Sequence, residues 1–428
     1  MNPLLDALTR PPESASGLVV AYSGGCDSTT LLHALARHGP RGMPVRAVHV
    51  CHHLHAEAEA CAEHCRARCA ELGVGFTRLD VSVAESGYGL EAAARQARYT
   101  ALKQAMTAGE ALVTGHHARD QAETFILQAL RGAGVEGLAA MPGLAGFGPG
   151  WHWRPWLAFD PAMIAAAAAQ WSLSWTEDPT NADRRMDRNY LRHEVLPRLA
   201  VRWPGYAATL ARSAGHAAAA ASTVEACAEQ DLAHAAEGMA IRCRRVVMLT
   251  AVRQRALIRR WLRRCNRDTP DHRHIEQIRA LLGAELRASP CVRFAASEVR
   301  RHDDRLYAMP ALADVPGNWR QCWAGESPLS LPGDGGRLDW CIPRPAGVVF
   351  EVRFRHGGER LDDGSGTRRR LKECLRAARI APWVRDRMPL IYHRGRLVAV
   401  AGFWRDPCLD ARLGQATGPI DWEHGLAG

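Results

Sequence analysis

Over the first third of the chain, short apolar runs alternate with stretches of helical period. Gly17–Ala21, Val45–Val50, Phe76–Val81 and Ala111–Thr114 read as strands. Thr29–Ala36, Glu57–Leu72, Leu90–Ala108 and Asp120–Leu130 read as helices between them. Strands separated by helices of this length predict an α/β fold, with a doubly wound parallel sheet covered on both faces. A ligand site then belongs at the carboxyl ends of the strands. Further on, Gly-rich Gly132–Gly150 reads as a mobile loop and Pro161–Gln170 as an Ala-rich helix. Trp175–Asn181 is a turn-laden polar segment, followed by a helix through Leu199.

The pattern changes at Pro204–Gly205. Long Ala-rich helices over 207–236 lead into a basic helical block and a short mixed region ending near Pro310. In Leu249–Cys265, Leu257, Ile258, Trp261, Leu262 and Cys265 form an apolar stripe, and arginines project elsewhere. Ala311–Pro343, rich in Gly, Pro and Trp, reads as a linker with edge strands. A helix near Arg369–Ala378 and strand-like runs at Pro389–Tyr392 and Arg396–Gly402 predict a small α+β module at the end. The expected segments are therefore 1–205, 206–310, 311–343 and 344–428.

Composition narrows the class. No apolar run approaches the length of a membrane span, and the start MNPLLDALTR lacks the regions of a signal peptide. A cytoplasmic protein without a membrane partner is expected. The 13 cysteines are scattered without a disulfide-like framework, and no C-x-x-C occurs. Cys61, Cys65 and Cys69 read as one buried helix face. His49, Cys51, His52, His53 and His55 set no ligand geometry. The net charge of +10 is unevenly placed, because residues 241–309 carry seventeen Arg against seven acids. Residues 351–400 carry twelve Arg and one Lys against six acids. Two basic blocks on an otherwise acidic chain point to a polyanionic partner.

Ser23-Gly24-Gly25-Cys26-Asp27-Ser28 falls between a predicted strand and a predicted helix. Backbone N–H groups of such a turn and the helix N-terminus suit phosphate oxygens, and Ser23 and Ser28 add hydroxyls. No Walker-type loop is present. Gly115-His116-His117-Ala118-Arg119-Asp120-Gln121-Ala122-Glu123-Thr124 is a second strand-end segment opening a helix. Its Asp120 and Glu123 share a face, as carboxylates would beside Mg²⁺ or as acids complementing the helix dipole. Glu91, Arg95 and Arg98 share a face of another helix. Arg188 and Arg192 lie one turn apart beside Asn189.

SGGCDS, HVCHHL, GLEAAARQARY, TGHHARDQAET…LRGAGVEGL, EDPTNAD…RNYLRHEVLPRL, LTAVRQRALIRRWL and APWVRDRMPLIYHRGRLVAVAGFW occur in this order. Together they resemble the bacterial tRNA(Ile)-lysidine synthase family over nearly the whole chain. The loop alone is similar to that of the wider pyrophosphate-loop ATP pyrophosphatases. Two departures stand out. Arg119 occupies a position where the family usually has an aspartate, and HVCHHL replaces HV[DN]HGL.

The resemblance implies ATP and Mg²⁺ as cofactors, with free L-lysine and the CAU-anticodon isoleucine tRNA as partners. A homodimer is compatible with it. The wobble cytidine would be adenylated and then joined to lysine, with release of pyrophosphate and AMP. Ser23, Gly24, Gly25, Cys26, Asp27 and Ser28 would bind ATP, and Asp27 and Asp120 would hold metal. Asp27, Asp120 and Glu123 are the expected catalytic residues. Glu91, Arg95, Arg98, His117, Arg188, Asn189 and Arg192 are the expected contacts to substrate or adenylate. Arg255, Arg259, Arg260 and Arg263 are expected to hold the tRNA. A tRNA 2-thiolase is disfavoured by the lack of paired C-x-x-C. An amidotransferase-type synthetase is disfavoured by the lack of an ammonia-delivering module. A tRNA-binding protein with a decayed ATP site is disfavoured by the intact SGGCDS, Asp120 and Glu123.

Overall fold

A computed structural model describes residues 2–52, 58–82, 90–177, 183–284, 290–362 and 368–425, excepting the side chains of 90–92. Contacts divide the chain into two compact units, Met1–Thr223 and Val224–Gly428. The boundary falls inside one continuous helix, Tyr206–Ala235.

The first unit is built on a six-stranded sheet. Its strands are β1 (Gly17–Ala21), β2 (Val45–Cys51), β3 (Gly75–Asp80), β4 (Glu110–Val113), β5 (Leu144–Phe147) and β6 (Gly150–Trp153). The order is β3-β2-β1-β4-β6-β5, parallel except for β5. The five residues of β1 are all buried because both faces are covered. Leu18, Val20 and Tyr22 pack with Leu31, Leu32, Trp156 and Ile164 on one side. Val19 and Ala21 pack with Val48, Leu102, Met106 and Leu112 on the other. Each such aliphatic burial is worth about 1.5–3 kcal/mol, which fixes the register of β1. Beyond β1 the chain order runs outward in both directions, so the crevice between β1 and β4 is the topological switch point.

The segment predicted as a mobile loop, Gly132–Gly150, is instead ordered. It holds a short helix, Val135–Leu138, and the β5–β6 hairpin that extends the sheet. Gly148, at φ 57°, makes the tight turn. At Gly150 a Cβ would collide with the Glu110 carbonyl, so only glycine lets β6 lie against β4 there. Gly148 and Gly150, counted as loop signals, are thus turn and close-approach residues of a sheet, and Gly134 caps the short helix.

In the second unit, helices Ala251–Arg264 and His272–Leu281 pack on a five-stranded antiparallel sheet spanning residues 236–310. The predicted stripe of Leu257, Ile258, Trp261, Leu262 and Cys265 is buried in that core. Residues 320–423 form a five-stranded sheet, a three-stranded sheet and a two-stranded ribbon. Arg320–Trp323 and Leu329–Leu331 are edge strands. Gly336–Trp340, however, is the central strand of its sheet and pairs with Ile420–Glu423. The stretch read as a linker therefore completes the C-terminal sheets. Among the described residues no helix is long and apolar enough to cross a membrane.

Candidate active site

The ends of β1 and β4 open into one cleft of about 770 Å³ in the first unit. The Ser23–Ser28 loop forms one wall. Gly25 is the N-cap of the helix Cys26–His38 and offers no capping side chain, so the N–H groups of the first turn face the cleft. The loop is braced from within. The Ser23 and Ser28 hydroxyls are 3.0 Å apart, and Ser28 Oγ donates to the Gly25 carbonyl at 3.0 Å. The Gly24 carbonyl accepts from Thr29 Oγ1 at 3.2 Å, from the Thr176 N–H at 2.9 Å and from Thr176 Oγ1 at 3.3 Å.

Gly24 has φ 87°, and a Cβ there would lie 2.8 Å from Thr176 Oγ1 and about 3 Å from the Cys61 and Cys65 sulfurs. The small thiols of the predicted buried face are what let the loop settle so closely. Burial pushes the Cys69 thiol up to about 11, and a hydrogen bond with Cys61 together with burial pushes Cys65 up as well. Burial and the neighbouring Asp27 also push Cys26 upward, so this loop residue stays a thiol. Among the described residues no cluster of three metal-ligating side chains occurs. His53 and His55 lie outside them.

The opposite wall is the start of the helix Ala118–Leu130. His117 is its N-cap: His117 Nδ1 accepts from the Asp120 N–H at 3.4 Å, and Asp120 Oδ2 accepts from the His117 N–H at 3.0 Å. Nε2 of the same ring lies 3.5 Å from Asp27 Oδ2. His117, almost wholly buried, therefore links the acid of one wall to the acid of the other. The Asp27 side chain is 43 % exposed and that of Asp120 only 11 %. Burial would raise Asp120, but His117, Arg188 and the hydrogen bond from the His117 N–H outweigh it and hold the carboxyl at about 2. Burial keeps the neighbouring His116 neutral.

Glu123 does not reach the cleft. It is fully buried between two guanidiniums, with Arg188 Nε at 2.7 Å and Arg192 Nε at 2.8 Å. Arg188 Nη2 and Arg192 Nη2 also reach Asp120 Oδ1 at 3.3 and 3.2 Å. Two acids and two bases thus form a neutral network that shows Asp120 and Arg192 to the cleft and keeps Glu123 behind it, and in which every charge has partners. Arg192 comes from a π-helical turn, Leu191–Val195, inside the predicted helix. That widened turn presents Arg192 and His193 to the cleft.

The other expected contacts divide. Arg98 lines the cleft, but Arg95 is exposed and lies over the Tyr99 ring at 5.0 Å. Asn189 faces away, donating to the Asp183 carbonyl at 3.0 Å. The Glu91 side chain lies outside the described residues. Thr114, His116, Trp175, Thr176, Glu177 and His193 also line the cleft. Sequence reasoning missed them because the polar segment at 175–177 carries no local sign that it folds back onto residue 24.

In the second unit, the arginines expected to meet RNA are mostly engaged. Arg255 Nε donates to Glu276 at 2.5 Å, Arg260 pairs with Glu225 and Glu229, and Arg263 lies 3.4 Å from Glu225. Arg259 has a buried Nε with no hydrogen-bond partner.

Three family models match the chain: a PP-loop domain over residues 3–199, a TilS substrate binding domain over 242–307 and a TilS substrate C-terminal domain over 350–422. A tRNA(Ile)-lysidine synthase of Methylococcus capsulatus is 39% identical over 412 residues, covering 93% of this chain and 94% of the relative. One from Alkalilimnicola ehrlichii is 40% identical, covering 97% and 95%. Among solved structures, a U34-tRNA thiolase from Methanococcus maripaludis aligns at a TM-score of 0.41 and 13% identity. It covers 50% of this chain and 76% of its own.

Proposed function

The chain belongs to the tRNA(Ile)-lysidine synthase family, and on that premise we propose how its cleft divides the reaction. The enzyme is an ATP-using ligase acting on tRNA(Ile). In the first step the 2-oxygen of the wobble cytosine attacks the α-phosphate of ATP, and pyrophosphate leaves. In the second the ε-amine of free lysine attacks C2, and the C2–O bond breaks to release AMP.

The observation that carries this reading is the meeting of the Ser23–Ser28 loop and the Asp120 wall in one cleft. The loop amides, hydroxyls and helix N-terminus receive the pyrophosphate, where charge builds as the P–O bond breaks. Asp27, half-exposed beside that loop, fits a Mg²⁺ ligand. Asp120 does not fit as a second ligand without releasing an arginine, because Oδ1 already serves Arg188 and Arg192. When bound, Mg²⁺ supplies charge neutralisation for the departing pyrophosphate.

Lysine's ammonium has a reference pKa near 10.4, so presenting the amine neutral at pH 7 costs about 4–5 kcal/mol. Of Asp120, Glu123 and His117, the acids and imidazole nearest the loop, Glu123 is out of reach of the cleft. Asp120, held ionised, draws the ammonium to the reacting centre but cannot keep its proton. His117 Nδ1, 3.3 Å behind the Asp120 carboxylate, accepts the Asp120 N–H and holds that carboxylate in place, and the proton leaves to water in the cleft. Arg188 and Arg192 act as positioning residues that hold Asp120 charged and aimed. Contact with the tRNA body falls to the second unit, with Arg259 foremost in the helical block. The exposed Arg368, Arg369 and Arg370 of the C-terminal ribbon act with it.

The test is transfer of labelled lysine to unmodified isoleucine tRNA with ATP and Mg²⁺. Wild type should transfer one lysine per AMP and pyrophosphate formed, and Asp120→Ala should lose transfer. Tight tRNA binding without transfer by wild type would sink the reading.

A further inference from the structure

We infer that Arg119 is the residue that binds the α-carboxylate of free lysine. The inference rests on the function proposed above and assigns the one cleft residue that departs most from the resembling family.

Arg119 stands in the cleft wall, immediately before Asp120. Its surroundings differ from those of Arg188 and Arg192. Arg188 and Arg192 are consumed by Asp120 and Glu123. Arg119 takes part in no ion pair or hydrogen bond among the described residues, and its Nε is shielded from solvent with no acceptor. Other arginines share such an orphaned Nε, among them Arg68, Arg154 and Arg259, but of these only Arg119 lines the cleft, where a ligand atom can supply the missing acceptor. Its side chain cannot hold a cation, so whatever the family's usual aspartate does at this position, arginine here must do something directed at an anion.

Three anions enter this cleft under the proposed reaction: the triphosphate, the tRNA backbone and the lysine carboxylate. The triphosphate is already met on the opposite wall by the Ser23–Ser28 loop and the N-terminus of its helix. Lysine needs a cation for its carboxylate and an anion for its amine at the same time. Consecutive Cα atoms are about 3.8 Å apart, so Arg119 and Asp120 offer a guanidinium and a carboxylate side by side. The long arginine stem lets the two charges separate along the wall by about the length of an extended lysine side chain. The fork of a guanidinium also matches a carboxylate with two parallel hydrogen bonds.

The test compares lysine with cadaverine, which is lysine without its carboxylate, as acceptor of the adenylated tRNA. Wild type should favour lysine in kcat/KM by about 10- to 100-fold, the worth of a charge-assisted pair. Arg119→Ala should raise KM for lysine by that factor and leave cadaverine unchanged, so that the preference disappears. Arg119→Gln should behave as Arg119→Ala, which guards against a packing defect, and Arg119→Lys should restore part of the preference. If the preference survives in both neutral variants, the inference is overturned. The same holds if KM for ATP rises or the affinity for tRNA falls in its place, since the guanidinium then serves a phosphate. Failure of wild type to transfer either amine would instead remove the function itself.

Discussion

Arginine is used in opposite ways in the two units. At the cleft, Arg188 and Arg192, 20 % and 25 % exposed, close over Asp120 and over Glu123, which is completely inaccessible. In the helical block of the second unit, Arg255, Arg260 and Arg263 pair with Glu276, Glu225 and Glu229 at a half-exposed surface. A buried pair is costly to break because the partner left behind cannot be hydrated. A surface pair returns to water almost without loss. The lesson is that a run of arginines in the sequence measures neither surface potential nor structural weight. Both depend on where the acids lie.

The sharpest way to break this comparison is to make one change in both places. Glu123→Gln should destabilise the first unit by about 3–5 kcal/mol in denaturant unfolding, because two guanidiniums lose the nearer of their two counter-charges. Glu276→Gln, which also faces two arginines, should leave the unfolding midpoint nearly where it was. Equal effects would show that the two networks are energetically alike.

Next in size is Gly24→Ala. The left-handed backbone and the contact with Thr176 together cost about 1–3 kcal/mol. The expected readout is a rise in KM for ATP with tRNA affinity unchanged; a normal KM for ATP would remove the loop's role in binding it.

Acid titration gives a third contrast. Asp120 has an ordinary value of 3.8 and is held at about 2 in the fold. The carboxylate therefore contributes in full above about pH 4, and its contribution is lost as the pH falls towards 2. The magnitude is about 2 kcal/mol. Asp120→Asn should flatten this acid limb in pH-dependent unfolding, and an unaltered limb would contradict the network.

The smallest effect concerns RNA. Arg259→Ala should reduce the slope of log affinity against log salt by just under one, as expected for one lost phosphate contact. Arg260→Ala, whose guanidinium is held by two glutamates, should change it less. The reverse order would mean that RNA strips Arg260 from its partners.

Much of this molecule was legible along the chain. The parallel sheet, the loop at the end of β1 and the buried stripe of Leu257–Cys265 follow from local period and turn chemistry. The acid–base network was not, because its ion pairs join residues 65 to 72 positions apart. Local spacing placed Asp120 and Glu123 on one helix face but could not say that arginines from a later helix occupy that face. Compensation of the basic block was hidden for the same reason, since the acids facing Arg260 and Arg263 sit on the preceding long helix. The Gly132–Gly150 hairpin was obscured because turn-making and loop-making glycines look alike until strand partners are known.

The tie between Thr176 and the Gly24 carbonyl also imposes a timetable on synthesis. The two residues are 152 positions apart. At about 5–20 residues per second, residue 176 is added roughly 8–30 s after residue 24. Through that interval the nascent loop has its strand and helix but lacks the clasp that shapes it. The nucleotide site therefore matures only when the far edge of its own unit has emerged from the ribosome, long after its signature residues have been made.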